Sequence, residues 1–221
     1  MSARPVTDHV GYPGSRRLLA DLASMIDDFA KGYLHHQLRN VREVLVWKLD
    51  GLSEYDIRRP LTATGTNLLG LVKHRAYSDA RYFGEVFGRP FPGPIPRWNE
   101  AGAWENEHWA TADETRSDIL GLHRAVCEHA DATIDALPID ALGHVPWWPS
   151  PDVKLFNIMV HSLNDTTRHA GHADILREQL DGRTGTTAEY EQPIDVAARA
   201  AYWAEVEQAA KAMIRERPDG R

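Results

Sequence analysis

The chain has 221 residues, is 43% hydrophobic and carries a formal net charge of −7: it is long enough for one sizeable core, and its acidic balance argues against a nucleic-acid surface. No run approaches the roughly 18 apolar residues of a membrane span, and the opening MSARPVTDHVGYPGSRR lacks the apolar centre of a signal peptide. A single cysteine, Cys127, excludes an internal disulfide and a cysteine-based zinc knuckle, so the expected compartment is the reducing cytoplasm, with neither nucleic acid nor membrane as partner.

Apolar residues at helical spacing run from Arg17 to Leu49, with Leu18, Leu22, Met25, Ile26 and Phe29 first and Val41, Val44, Leu45 and Leu49 later. Gly32 leaves two helices or one bent helix open. Asp50-Gly51 ends the segment, Ser53 with Asp56 resembles a capping box, and Arg59-Pro60 closes a short turn. A second long helix is predicted over 67–87, with Thr66 as its cap and His74 inside it. GRPFPGPIPRW cannot continue that helix and reads as a crossover. A short helical turn over 101–111 and a third helix over 113–137 follow, the latter ended by Pro138. GHVPWWPSP makes a second tryptophan-bearing loop. A fourth helix covers 155–180, and Asp181-Gly182 closes it. A last amphipathic helix is expected over 196–215, and no alternating strand pattern is evident.

His161, Asp165, His169 and His172 punctuate the fourth helix at steps of four, four and three, which bring them within roughly 80° of one another around its axis. Such a stripe is ordinarily apolar, because imidazole and carboxylate groups are costly to bury without partners. A divalent metal offsets that cost, since an i, i+4 pair aims two donors at one point. Each residue has a plainer alternative: His161 as a packed neighbour, Asp165 in a surface ion pair with Arg168 or His169, His172 at the surface. Arg75, Arg81, Arg168 and Arg177 are either carboxylate anchors or solvated stems. Trp98, Trp104, Trp109, Trp147 and Trp148 either roof a pocket at one bundle end or fill core gaps. His35, His36 and His108 read as surface residues, and Cys127 as a small core residue.

Four long helices with two longer connections suit an all-α four-helix bundle whose facing helices build a site in the core. The segments LVWKLDGLSEYDIRRPLTATGTNLLGLVKH and MVHSLNDTTRHAGHADILREQLDG resemble the DinB/YfiT-like superfamily, in particular its actinobacterial, mini-circle-protein-like branch. The resemblance spans about residues 38–185. It implies a metal-binding four-helix bundle related to bacillithiol transferases and mycothiol-dependent maleylpyruvate isomerases. Carried over, the second-helix metal ligand is His74 and the last-helix pair is Asp165 and His169. Asp165 stands where many relatives have His or Glu, and His172 where many have Gln. His172 is thereby a candidate catalytic proton carrier, hydrogen-bond donor to a metal ligand, or alternative ligand.

Three protein ligands leave a position open for a thiol, which becomes a thiolate there, or for water. The expected function is therefore a metal-dependent thiol transferase, or a thiol-dependent isomerase, taking a small-molecule electrophile and a thiol such as mycothiol. Zinc is the first candidate metal, with Ni, Mn and Fe as others. A non-catalytic, stress-associated bundle binding metal or a small ligand, and a metal-dependent hydrolase, are the alternatives. The expected organisation is an N-terminal helical extension over 1–37, the bundle over 38–185 and a helical appendage over 186–221 packed on the same domain. A homodimer is left open.

Overall fold

The computed structural model describes residues 13–191 and 194–214, with side chains from residue 24 onward. The readings of residues 1–12 and of Arg215 as the last helical residue lie outside these residues, and those of Leu18 and Leu22 as apolar positions outside the described side chains. Four helices form the bundle: α1 (Pro13–Trp47), α3 (Leu68–Asp79), α4 (Arg116–Ala136) and α5 (Leu155–Asp181). α2 (Glu54–Arg58) bridges α1 and α3, α6 (Val196–Ala212) follows the bundle, and β1 (Leu142–His144) pairs antiparallel with β2 (Asp152–Lys154). α1 packs along α5, α3 along α4, and α3 also touches α5. No described helix is long and apolar enough to cross a membrane.

Local signals account for most boundaries. Gly32 faces open space inside α1, so its cost of about 1 kcal/mol relative to Ala does not break a helix held by its neighbours. The Ser53 side chain accepts from the Asp56 amide and starts α2. At α3 the cap is Asn67, not Thr66: its side chain accepts from the Gly70 amide at 2.8 Å. Thr115 and Asp118 form a reciprocal capping box that starts α4 at Arg116, three residues later than the sequence reading. Gly182, at φ 75°, closes α5 in the left-handed conformation that favours glycine.

Three expectations are corrected. α3 widens into a π-helical turn over Ala80–Gly84 and tightens into a 3-10 turn over Glu85–Phe87, a break that hydrophobic periodicity does not register. Residues 101–111 form turns rather than a helix. The proline-rich loop before α5 is flanked by the β1–β2 hairpin, whose three-residue strands are too short to display alternation.

The apolar core has two layers. One gathers Leu38, Phe83, Val86, Ile134, Leu155 and Ile158 at the end where α5 starts. The other gathers Leu45, Leu68, Leu69, Val72, Ile119 and Leu176 at the opposite end. Between them lies a polar layer in which Arg42, Arg75, Asp79 and Ser162 are almost wholly buried. None of the described α6 residues is buried.

Candidate metal centre

The polar layer starts from Asp79. Burial by itself would raise its carboxyl pKa, but Arg42, Arg75 and the Ser162 hydroxyl hold it below the usual range. Arg42 donates to Asp79 Oδ2 at 3.0 Å and to Asp131 Oδ1 at 2.9 Å. Arg75 donates to Asp79 Oδ1 and to Ser162 Oγ, and Ser162 donates to Asp79 Oδ1 at 2.7 Å. The remaining arm of Arg75 donates to Asp165 Oδ2. Buried charges persist only when paired and hydrogen-bonded in this way. Arg75, Arg81 and Arg177 are therefore not solvated stems: all three are 2% exposed or less, and Arg168 alone of the four is exposed.

This network positions a second cluster at its rim. The buried face of α5 consists of Ile158, Met159, Ser162, Thr166, Ala170 and Ala173, so the His161–Asp165–His169–His172 stripe lies beside the core rather than in it. His161, Asp165 and His169 are partly buried, and His172 is exposed. Donor atoms of His74, Asp165 and His169 all lie within 4.8 Å of one another. The His74 and His169 rings meet edge to face at 5.0 Å, and His169 Nε2 lies 3.5 Å from Asp165 Oδ1. His169 Nδ1 is buried and has no hydrogen-bond partner. Burial lowers the His169 pKa to about 4, with His74, Arg75 and His172 adding to the effect against the pull of Asp165. Its imidazole is thus neutral at neutral pH. A spread of 4.8 Å is little more than twice a metal–ligand bond of about 2.1 Å, and imidazole with carboxylate is a first-row donor set. These three residues could hold one ion.

The crossover loop supplies what the sequence reading did not assign. Glu107, 4% exposed, accepts from His74 Nδ1 at 3.2 Å and from Arg81 Nη1 at 2.7 Å. With Nδ1 donating, the His74 lone pair sits on Nε2, the tautomer that a carboxylate bonded to the far nitrogen of a metal-binding histidine enforces. His108 is exposed, as expected for a surface residue, yet it stacks on His74 at 4.3 Å and with Glu107 and His74 makes a second group able to hold an ion. No helical period runs through this loop, so spacing could not reveal Glu107. The buried arginine that anchors it, Arg81, also donates to the Ala103 carbonyl and stacks on Trp104 at 4.0 Å. Lys73 adds bonds to the Trp109 carbonyl and Glu114.

A recess of about 220 Å³ adjoins the cluster, lined by His74, Asp165, Glu107 and Arg81 and by Tyr82, Trp104, Trp147 and His161. His161 packs edge-on against Tyr82 at 4.7 Å and Trp148 at 4.8 Å, the neighbour role rather than the ligand one. The ring of His172 stands 5.6 Å from that of His169. His35, read as a surface residue, is instead buried beside Asp131 at 2.9 Å. Cys127 lines a separate groove between α1 and α4, beside His123.

A family model described as mycothiol-S-transferase matches residues 33–182 of the chain. No curated protein matches it.

Proposed function

Since the chain belongs to the mycothiol-S-transferase family, which is DinB/YfiT-like, we propose that it joins mycothiol to a small-molecule electrophile at a divalent metal held by His74, Asp165 and His169. The observation that carries this reading is the meeting of donors from α3 and α5 within 4.8 Å, beside a His169 ring whose buried Nδ1 has no hydrogen-bond partner. Zinc is the first candidate, because three N and O ligands leave a coordination position open. A bound ion of this kind lowers the pKa of an incoming thiol and so supplies a thiolate at neutral pH.

The protein's own groups have distinct parts in this reading. Arg75 orients Asp165, and Glu107 orients His74. The loop and hairpin aromatics wall the recess against water. The thiol proton leaves toward solvent by way of His172, the thiol sulfur bonds to the electrophilic carbon, and the electron pair departs with the leaving group or settles on the electrophile. The sulfur comes from outside the chain: burial pushes the Cys127 thiol up to about 12, far from thiolate at neutral pH.

Metal quantification on untagged protein, followed by a thiol panel with one generic electrophile, tests the proposal. Stoichiometric metal and turnover that requires mycothiol are expected. Turnover with water alone would replace the transferase with a hydrolase, and bound metal with no turnover across thiols and electrophiles would leave a binding protein.

A further inference from the structure

We propose that the groove between α1 and α4 is a second small-molecule site, one that takes a zwitterionic aromatic amino acid such as tyrosine. The assignment is independent of the transferase reading. α1 packs along α5 and α4 along α3, so α1 and α4 meet only in part. Leu38 shares one core layer with Ala130 and Ile134, and Leu45 shares the other with Ile119; the two helices therefore run antiparallel. The space left between them is about 600 Å³, inside the range of roughly 300–1,000 Å³ that ligand sites occupy. The metal cluster stands between α3 and α5, the opposite pair of helices, so an occupant of the groove is not a reactant there.

The floor is apolar apart from one histidine. Val46 and the Trp47 indole come from α1, Leu120 and Cys127 from α4. His123 lies among them, 5% exposed, and its ring nitrogens touch the Cys127 thiol at 3.7 and 3.8 Å. A thiol is a weak partner, so most of the hydrogen-bonding capacity of that imidazole is unused. Lys48 and Arg183 already stand over the Trp47 ring, at 4.6 and 5.4 Å, which disfavours a bare organic cation as the occupant.

The rim sets the charge of the ligand. Arg39 donates to Asp131 across the groove at 2.7 Å and closes one end. Glu43 from α1 and Arg124 from α4 also line it, both exposed, and neither has an ion-pair partner among the described residues. The lining as a whole carries three arginines and three carboxylates, so a ligand of one sign is repelled by as many groups as attract it. A zwitterion has an end for each wall: its ammonium beside Glu43 and its carboxylate on Arg124, both charge-assisted bonds. An aromatic ring then lies against Trp47 and Leu120, and a phenolic hydroxyl reaches down to His123.

Calorimetry of L-tyrosine on the metal-loaded full chain tests the site, beside tyramine as the amine alone and 3-(4-hydroxyphenyl)propanoate as the acid alone. L-tyrosine should bind, and each truncated probe should bind at least about threefold more weakly, the scale of one exposed ion pair. Glu43→Gln and Arg124→Gln, both at exposed positions, should weaken L-tyrosine by a similar factor. Glu43→Gln should leave the acid probe unaffected, and Arg124→Gln the amine probe. Leu120→Trp should fill the groove and abolish binding with helix content unchanged; if that variant does not fold, the two glutamine variants decide. Trp147→Ala, in the recess beside the metal cluster, should bind L-tyrosine as wild type does. Absence of L-tyrosine binding, equal binding by either truncated probe, or indifference to both glutamine variants would overturn the assignment. So would unchanged binding in a folded Leu120→Trp, or loss of binding in Trp147→Ala.

Discussion

Arg75 on α3 and Asp165 on α5 are ion-paired across the bundle, and the same guanidinium binds Asp79 in the buried polar layer. A candidate metal ligand is thereby tied to the middle of the core. Asp165 reaches the rim from the shorter of the two acidic side chains, and Arg75 holds one of its oxygens while the other faces His169.

Replacing Arg75 by Met should leave Asp79 with Arg42 as its remaining guanidinium partner and Asp165 with none. Breaking a buried ion pair from one side costs about 3–5 kcal/mol. Urea unfolding followed by circular dichroism should show a loss of unfolding free energy of that size, and a loss below about 1 kcal/mol would show that the layer is not held by Arg75.

His169→Ala should lose metal and stay folded. Its Nδ1 has no partner in the apoprotein, so truncation breaks no hydrogen bond there. His74→Ala should behave likewise, while Asp165→Glu should retain metal. Elemental analysis alongside circular dichroism reads all three, and full metal retention in both alanine variants would remove this assignment.

Glu107→Gln keeps an acceptor for Arg81 but withdraws the negative charge from His74. Loss of an outer carboxylate commonly lowers metal affinity about 10–100-fold. Competition with a chromogenic chelator should show this drop with helix content unchanged, whereas an unaltered affinity would make Glu107 only a loop anchor.

Gly70→Ala probes the same loop from beneath. A Cβ at Gly70 would stand 2.0 Å from the His108 carbonyl oxygen and 2.7 Å from its carbon, both backbone atoms, so the loop must shift. The expected result is weaker metal binding with a stability loss of about 1–3 kcal/mol, although alanine favours a helix by about 1 kcal/mol. Proteolysis within residues 100–111 should also quicken.

His123 sets an acid limit. Burial is the chief cause lowering its pKa from 6.5 to about 4, with Arg42 and Arg75 adding to it and Asp79 opposing; its ring also touches Cys127. Because the folded pKa lies below the unfolded one, the unfolded chain binds the proton first. The neutral imidazole's contribution is complete above pH 6.5 and is lost as pH falls toward 4, about 3 kcal/mol in all. Urea midpoints between pH 7 and 4.5 should fall less steeply in His123→Leu, and parallel slopes would contradict this origin.

The order of helices, the caps at Ser53 and Gly182, and the stripe at residues 161, 165, 169 and 172 were legible in the sequence, because each follows from spacing within one segment. Helical period and side-chain type depend on near neighbours, and these set them. What only the tertiary structure decided was which face of α5 enters the core, that Arg75, Arg81 and His35 are buried, and that Glu107 and His108 reach His74 from an irregular loop. Those outcomes depend on pairings between groups far apart in the chain, such as the 90 residues that separate Arg75 from Asp165. A buried charge is stable only beside its partner, and no local pattern in the chain says where that partner will come from.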